Sequence, residues 1–232
     1  MSNEVFRRKE TKYILSLDDY NSLMKKIEDH LEKDKYYEST ICNVYYDTSN
    51  YDLIVHSLEK PIYKEKVRVR SYNVPKLNDT VFLEIKKKYK GIVGKRRIEL
   101  KLKDFYNYLE TGKIDNCNEQ IKQEIDYCFK FYELKPRLYL AYDRLSYYDK
   151  DDQCFRITFD RNIRSREDDL FLEKGDKGKK HFDDDIVIME TKALNAYPLW
   201  FARILSELKI YPGSFSKYGS IYSKKIEEEL YV

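Results

Sequence analysis

The sequence predicts a mainly β member of the α+β class, an eight-stranded antiparallel β-barrel with helices packed on its outside. Eight segments alternate polar and apolar residues with a period of two, as strands with one buried face do. Only five helical segments interrupt them. Neither an internal repeat nor a linker divides the 232 residues, so we treat residues 1–232 as a single domain.

The strands are predicted wherever this alternation holds. They are Val5–Leu15, Ile41–Thr48, Tyr63–Tyr72, Thr80–Tyr89, Ile92–Lys101, Arg137–Tyr148, Phe155–Arg161 and Ile186–Leu194. Eight antiparallel strands of this kind suit a closed barrel.

The helices are predicted from the helical spacing of apolar residues. They are Leu17–Lys33, Lys103–Thr111, Glu119–Tyr132, Pro198–Lys209 and Ser220–Leu230. Ser16 and Asp19 have the spacing of a capping box at the start of the first helix. Pro198 occupies the first turn of the fourth helix, where proline is favoured. The Asp-, Lys- and Gly-rich residues 165–185 are predicted to form a mobile loop between two strands.

The composition excludes several classes of protein. Lys and Arg number 44 against 41 Asp and Glu, and this net charge of +3 argues against a histone-like nucleic-acid binder. The 42% of hydrophobic residues is enough for a core. The four cysteines lie far apart without flanking histidines, which argues against a thiolate zinc site. We expect no signal peptide and no membrane span, and therefore a cytoplasmic location.

Alternate residues of a strand point to opposite faces of the sheet, and we call each alternating set a parity. One parity of the predicted strands is charged and the other is apolar. The charged parity holds the cations Arg8, Lys12, Lys66, Arg68, Arg70, Lys86, Lys95, Arg97, Arg144, Arg156 and Lys192, and the acids Glu10, Glu84, Asp160 and Glu190. Two arrangements are possible: a conventional barrel with its charges outward, or an inverted barrel whose charges line the interior beneath outer helices. The scarcity of Ser, Thr, Asn and Gln on the charged parity favours the inverted barrel.

The surplus of seven cations on this parity predicts an anionic ligand. Burying cations costs several kcal/mol each unless an anion neutralises them. Arg and Lys together suit a ligand with several phosphoryl groups. Carboxylates hold Mg²⁺ or Mn²⁺ together with phosphate oxygens, and Glu84 and Glu190 are the natural candidates. Removing Arg68 or Arg70 is expected to leave thermal stability unchanged or higher, because repulsion is relieved.

Short motifs resemble the triphosphate tunnel metalloenzymes, a CYTH-like superfamily, and within it the VTC-domain polyphosphate polymerases. They are RRKETKY at Arg7–Tyr13, YYDT at Tyr45–Thr48, VRVRSY at Val67–Tyr72, FLEIKKKYKGIVGKRR at Phe82–Arg97, YDRLSYY at Tyr142–Tyr148, FRITFDRNI at Phe155–Ile163, IMETK at Ile188–Lys192 and SFSKYGS at Ser214–Ser220. Together they cover the chain nearly end to end.

The resemblance implies a tunnel in which basic residues hold a triphosphate and a carboxylate holds Mn²⁺ or Mg²⁺. The implied phosphate-binding residues are Lys12, Arg68, Arg70, Lys86, Lys95, Arg97, Arg144 and Arg156, with Ser216 and Lys217 closing on the phosphates. Glu190 is the implied principal metal ligand, and Glu84 and Glu10 are further metal candidates. Catalysis is assigned to Lys12, Arg68, Arg70, Lys86 and Glu190.

The implied activity is that of a metal-dependent polyphosphate polymerase, which adds the γ-phosphoryl group of ATP to a growing inorganic polyphosphate chain. The expected ligands are therefore ATP and inorganic polyphosphate or triphosphate, and a membrane-protein partner for the product is left open. The hydrolase branch carries an ExExK signature, whereas this chain has Arg8, Glu10 and Lys12, which favours the polymerase branch. The alternatives are an inorganic or nucleoside triphosphatase of the same fold and a non-catalytic polyphosphate- or nucleotide-binding module.

Nucleic-acid binding is the weakest alternative, and no nucleic-acid partner is expected. Tyr45, Tyr46, Tyr147 and Tyr148 could stack on bases, but we expect them to pack on the outer face of the barrel. The mechanism requires no protein nucleophile, and none is evident among the three histidines.

Overall fold

The computed structural model describes residues 9–90, 92–115, 117–194 and 196–230. The predicted strand residues 5–8, with the charge of Arg8, lie outside these ranges. Within them the strands are β1 (Lys9–Ser16), β2 (Leu31–Asp47), β3 (Tyr63–Tyr72), β4 (Thr80–Tyr89), β5 (Ile92–Lys101), β6 (Lys135–Asp149), β7 (Arg156–Arg166), β8 (Lys179–Lys180) and β9 (Ile186–Ala193). The helices are α1 (Leu17–Ile27), α2 (Asp52–Leu58), α3 (Leu102–Thr111), α4 (Glu119–Phe131), α5 (Leu199–Glu207) and α6 (Lys217–Leu230).

The strands form one sheet in the order β1-β9-β7-β6-β2-β3-β4-β5, and β8 pairs with β7 off this path. The pairs with defined register are antiparallel, so the predicted class, a mainly antiparallel sheet with helices, is confirmed. The prediction of a closed ring differs from the observed pairing: in the described ranges the hydrogen-bonded path has β1 and β5 as its ends. No described helix is long and apolar enough to cross a bilayer.

The largest error in the predicted boundaries concerns the first helix. The helix α1 ends at Ile27, a single 3-10 turn follows over Glu28–His30, and β2 begins at Leu31 rather than at Ile41. Most residues in the first half of β2 are solvent-exposed, so this stretch lacks the alternation that marks a strand. The strands β3, β4 and β5 have the predicted bounds, because their alternation is regular enough to be recognised although Phe82, Lys87 and Arg96 break it.

The chain divides into two compact units, each described by itself. Unit 1 comprises Met1–Ser39, Tyr142–Ile163 and Phe182–Ser216, and unit 2 comprises Thr40–Ala141, Arg164–His181 and Lys217–Val232. The assignment of residues 1–232 to a single domain stays a prediction.

The core of unit 1 lies between the apolar parity of its strands and two helices. Tyr13, Phe159 and Met189 are buried in one cluster with Leu23 of α1 and Phe201 of α5. This burial supplies the hydrophobic stabilisation that the alternation predicts.

Both predicted helix starts in unit 1 are close to those observed. The Oγ atom of Ser16 accepts a 3.0 Å hydrogen bond from the Asp19 backbone, which confirms the capping box. Pro198 lies one position outside the predicted first turn: it is the N-cap, and α5 begins at Leu199. Its missing N–H costs nothing at this position.

In unit 2 the apolar parity of β3 and β4 packs beneath α3 and α4. Val67, Leu83 and Ile85 are buried in one cluster with Phe105 of α3 and Ile125 of α4. In both units, therefore, helices cover the apolar parity of the strands, which leaves the charged parity on the opposite face.

The loop after β7, predicted to be mobile, is held by an arginine. Arg166 stacks on Tyr139, with its guanidinium carbon 3.5 Å from the ring centre. Its nitrogens donate to the carbonyl oxygens of Phe171, Gly175 and Lys177 at 2.8–3.0 Å. These bonds satisfy loop carbonyls around one planar side chain, so Arg166 holds residues 171–177 together, while the mobility of the loop stays a prediction.

Candidate functional site

The charged parity of unit 2 forms two rows across β3, β4 and β5, which we call the phosphate rows. They are Arg68–Glu84–Arg97 and Lys66–Lys86–Lys95, each aligned by the antiparallel register. Residues directly opposite each other in neighbouring strands share a face of the sheet. The predicted site residues Arg68, Lys86, Lys95 and Arg97 therefore lie together on one face.

Glu84 is the buried carboxylate of the phosphate rows. Its side chain is 2% exposed, and Oε2 accepts from the Nε and Nη2 atoms of Arg68 at 2.9 and 2.8 Å. The ammonium group of Lys95 contacts Oε1. Burial raises the pKa of Glu84, but the positive charges of Arg68, Arg70 and Lys95 outweigh it and lower the pKa from 4.5 to about 2. Glu84 is thus ionised and holds these cations in place. Its role as a metal ligand stays a prediction.

Lys95 has an unusually acidic ammonium group. Burial lowers its pKa, the charge of Glu84 opposes this, and the nearby Arg70 and Arg68 lower it further, to about 8. Lys95 is therefore protonated at neutral pH but close to losing its proton, and a bound anion would favour the charged form.

Residues of β2 orient the two arginines of β3. The side-chain oxygen of Asn43 accepts from the Nε atom of Arg70 at 3.0 Å, and its amide nitrogen donates to the Leu140 carbonyl at 3.1 Å. The hydroxyl of Tyr45 accepts from the Nη1 atom of Arg68 at 3.1 Å. Asn43 was not among the predicted site residues, although it shares the parity of Tyr45 and faces Arg70 across the strands.

Tyr45 contradicts the expectation that these tyrosines pack on the outer face. It contacts Arg68 on the charged face, because it stands opposite Arg68 in the β2–β3 register. Its neighbour Tyr46 points the other way, is buried and packs against Phe105, as expected.

An aromatic residue on the charged face also escaped the sequence analysis. Phe82 lies opposite Arg70, and the guanidinium carbon of Arg97 is 4.5 Å from its ring centre. The parity of Phe82 matches that of Glu84, which is the signal that could have placed it there. A cation over an aromatic ring keeps its side chain oriented without consuming its hydrogen-bond donors.

Unit 1 carries a second charged surface on β1 and β9. Its two glutamates, Glu10 and Glu190, are called the carboxylate pair below. Glu10 stands opposite Lys192, and Lys12 stands opposite Glu190. The Nζ atom of Lys12 lies 3.8 Å from a carboxylate oxygen of each glutamate, and the Nζ atom of Lys192 lies 2.8 Å from Glu190. Glu190 is buried, so these ammonium groups stabilise its ionised form.

The donor set of the carboxylate pair suits a cation bound together with phosphate. No group of three or more His, Cys, Asp or Glu side chains placed to hold a metal occurs among the described residues. Glu10 and Glu190 offer hard oxygen donors on neighbouring strands. Mg²⁺ is commonly held by one or two carboxylates and takes its other ligands from substrate phosphates and water. The residues present therefore fit Mg²⁺ or Mn²⁺ in a phosphate-bound form.

Two predicted phosphate ligands of unit 1 are engaged with acids. Arg144 donates to both carboxylate oxygens of the buried Asp160 at 2.6 and 2.8 Å. Burial lowers the pKa of Arg144, but the charge of Asp160 outweighs it and raises the pKa above its usual value. Arg156 is more exposed and lies 3.4 Å from Asp34. The phosphate-binding roles of both arginines stay predictions.

The C-terminal motif lies beside Lys12. The Gly213 backbone donates to the Lys12 carbonyl at 2.8 Å, and the Nζ atom of Lys12 donates to the Phe215 carbonyl at 3.1 Å. Ser216 follows directly in unit 1, and Lys217 begins α6 in unit 2. The structure thus brings the segment before Ser216 to a predicted catalytic lysine, while the roles of Ser216 and Lys217 stay predictions.

Comparison with solved structures shows the class of fold to which this arrangement belongs. A Bacillus halodurans protein described as a candidate adenylate cyclase has a TM-score of 0.55 at 13% identity, covering 90% of this chain and 95% of its own. A Hippeastrum protein, described as a candidate adenylyl cyclase with a dominant triphosphatase activity, has a TM-score of 0.54 at 15% identity, covering 93% and 95%. These similarities show a shared fold.

The chain belongs to the VTC domain family, whose model matches residues 7–224. It is 26% identical over 216 residues to vacuolar transporter chaperone complex subunit 4 of Trypanosoma brucei brucei, and 25% identical over 217 residues to that of Trypanosoma cruzi. Each alignment covers 74% of this chain and 27% of the relative, so the chain spans about a quarter of the length of these relatives. The family that the sequence motifs indicated is confirmed.

Proposed function

We propose that this chain is a metal-dependent polyphosphate polymerase that transfers the γ-phosphoryl group of ATP to a growing inorganic polyphosphate chain. The observation that carries this proposal is the pair of phosphate rows, in which five cations surround one buried carboxylate. Their formal charge is +4, which suits a ligand with several phosphoryl groups. Membership of the VTC domain family supports the same conclusion.

The phosphate rows bind and orient the triphosphate of ATP in this proposal. Arg97 presents a guanidinium fork, which matches phosphate oxygens in two places at once. Arg68, whose nitrogens bond Glu84 and Tyr45, adds its charge and its remaining N–H donors. Lys86 and Lys95 add point charges in the next row. Glu84, Asn43 and Tyr45 are positioning residues, because each holds a cation of this face in place before the ligand arrives.

The carboxylate pair of unit 1 offers the metal ligands that phosphoryl transfer requires. We propose that Glu190 and Glu10 hold Mg²⁺ or Mn²⁺, which when bound supplies Lewis-acid stabilisation of charge on the phosphates. Lys12 balances the charge of both carboxylates. Ser216 and Lys217, within the motif Ser214–Ser220, are proposed phosphate contacts.

The reaction needs no nucleophile from the protein. A terminal phosphate oxygen of the polyphosphate chain attacks the γ-phosphorus of ATP, the bond to the β-phosphate oxygen breaks, and ADP leaves with the electron pair. Such transfer depends mainly on alignment and charge stabilisation, which arginines and lysines provide. The histidines fit this view: His30 stacks on Trp200 at 4.1 Å, and His181 is bonded to Ser165.

The proposal is tested by incubating the protein with ATP and Mn²⁺ and analysing products by gel and by phosphorus NMR. We expect long polyphosphate, with one phosphoryl group transferred for each ADP released. Glu190→Ala should form neither polyphosphate nor ADP. Orthophosphate alone would overturn the polymerase in favour of the triphosphatase. Tight triphosphate binding without any turnover would identify a binding module instead.

The cellular setting is also part of the proposal. The relatives are named as subunits of a complex. We therefore propose that this chain works in a complex, and that one of its partners is a membrane protein that receives the polymer. A cytoplasmic location stays a prediction.

A further inference from the structure

We propose that one end of the sheet in unit 2 docks on an anionic phospholipid bilayer. This end, which we call the sheet tip, comprises Lys60–Lys64 before and within β3, Lys88–Lys90 at the end of β4, and Ile92 and Val93 at the start of β5. The inference does not depend on the proposed polymerase activity.

The sheet tip exposes apolar side chains in a contiguous row. Tyr63, Tyr89 and Ile92 stand opposite one another on three neighbouring strands, and they are 40%, 53% and 54% exposed. Ile62, which precedes them, is 68% exposed. Further along the same face Val67 is fully buried beneath helices. The row Glu65–Lys87–Gly94 separates this exposed row from the buried stripe, so the tip is an apolar patch of its own, and contiguous exposed apolar surface of this kind marks an interaction site.

Lysines flank this apolar row: Lys60 precedes it and Lys90 follows Tyr89 in the chain, and Lys64 and Lys88 lie beside it on the other face of the sheet. Lys64 stands opposite Lys88 in the β3–β4 register. Lys60 also acts on Lys64: burial, then the charges of Lys88 and Lys60, lower the pKa of Lys64. The ammonium group of Lys90 lies 5.4 Å from the ring centre of Tyr89. The surface therefore combines apolar and cationic groups within one hairpin end.

The acids near the sheet tip are engaged with other groups. Glu65 is buried and accepts from the hydroxyls of Tyr63 at 3.0 Å and of Tyr132 at 2.6 Å. Glu59 lies 3.6 Å from His56. Lys60, Lys64, Lys88 and Lys90 outnumber the exposed Glu59, so the surface of the tip is positive and its charge complements an anionic partner.

Apolar and cationic groups together distinguish a bilayer from a free polyanion. Inorganic polyphosphate would use the lysines but offers nothing to Ile62, Tyr89 and Ile92. At a membrane surface tyrosine rings sit at the headgroup level, aliphatic side chains reach the acyl boundary, and lysines extend to the phosphates. The tip is also preformed, because the Lys90 backbone donates to the Ile62 carbonyl at 3.0 Å.

The test is co-sedimentation of the protein with vesicles of phosphatidylcholine containing phosphatidylglycerol, compared with vesicles of phosphatidylcholine alone. We expect salt-sensitive binding to the anionic vesicles. The double variant Lys88→Gln/Lys90→Gln should weaken it about thirtyfold, given the usual contribution of a lysine near such a surface. Tyr89→Ser/Ile92→Ser should weaken binding while tripolyphosphate affinity stays unchanged. That retained affinity also shows that the variant is folded.

Matched controls come from the same unit. The exposed Lys101 and Lys103 are replaced together by Gln, and the exposed Leu77 by Ser. We expect these controls to bind anionic vesicles like the wild type. Equal binding by tip variants and controls would overturn the proposal, as would no binding by the wild-type protein. So would a concentration-dependent dimer that only the tip variants lose, since the tip would then be an interface between copies.

Discussion

At the scale of single residues, Glu84 determines what the surrounding cations do. Counting cations on one parity predicts strong repulsion in the absence of ligand. In the structure Arg68 instead makes two bonds to a buried carboxylate, and Lys95 contacts its other oxygen. The phosphate rows are therefore partly neutralised before a ligand binds, and this arrangement changes the expected effects of substitution.

For Arg68→Ala we now expect lower stability, contrary to the expectation from sequence. Removing one partner of a buried pair leaves the other charge poorly compensated and can cost about 3 kcal/mol or more. Urea unfolding of the wild type, Arg68→Ala and Arg97→Ala measures the difference. Arg97 is the matched control, because its guanidinium group lies over Phe82. Equal stability of both variants would contradict this role of Glu84.

Acid should destabilise the wild type more than Glu84→Gln. The pKa of Glu84 is about 2 in the folded protein against an ordinary 4.5, so its contribution is complete above pH 4.5 and is lost as pH falls toward 2. Such a difference corresponds to a contribution on the order of 3 kcal/mol. Unfolding free energies measured across this range should converge for the two proteins. The exposed Glu99 provides the control, and a Glu99→Gln protein should follow the wild type throughout.

The lowered pKa of Lys95 predicts that ligand binding weakens at alkaline pH. With a pKa of about 8, it is charged below pH 8 and neutral above. Affinity for ATP, measured by calorimetry from pH 7 to pH 9, should fall as this charge is lost. Lys95→Arg keeps its charge and should give a flatter profile. If the ATP affinities of the wild type and Lys95→Arg changed in parallel with pH, Lys95 would not contact the phosphates.

The sequence predicts the positions of the cations better than it predicts what holds them. The phosphate rows follow from alternation in two adjoining hairpins, where the register leaves one possible face. Asn43 and Phe82 were missed because only charged residues were assigned to this face by parity, although Asn43 shares the parity of Tyr45 and Phe82 that of Glu84. Which arginine each one faces depends on the register between strands.

At the scale of elements, the helix α2 has no recognisable sequence pattern, and side-chain hydrogen bonds determine where it begins. It has seven residues, too few for a helical period to be recognised. Its start is fixed by the fully buried Asp47, which accepts from the backbone nitrogens of Thr48, Leu53 and Ile54 at 2.8–3.1 Å. The same carboxylate accepts from the hydroxyl of Tyr218 in α6 at 3.0 Å.

Asp47→Ala should therefore destabilise unit 2 strongly. It removes four hydrogen bonds around a buried helix start, and we expect a loss of about 2–4 kcal/mol. Tyr218→Phe removes only one of them and should cost about 1 kcal/mol. Chemical denaturation of both variants tests the ranking. Equal losses would indicate that the contact with Tyr218 matters more than the helix start.

At the scale of the whole molecule, the fold class and the family could be predicted because both depend on features spread along the chain. Eight of the observed strands match predicted segments, and the family model covers the same motifs. The ninth, β8, has two residues and gives no pattern. Ring closure could not be predicted, because it depends on pairing between segments far apart in sequence.

We propose that the charged faces of this chain extend a polyphosphate chain instead of delivering phosphate to water. ATP labelled in its γ-phosphoryl group is supplied together with short inorganic polyphosphate and Mn²⁺, and the position of the label is followed. We expect label to enter the polymer in a one-to-one ratio with ADP, and we expect Glu190→Ala to abolish the transfer. Label released only as orthophosphate would contradict this proposal.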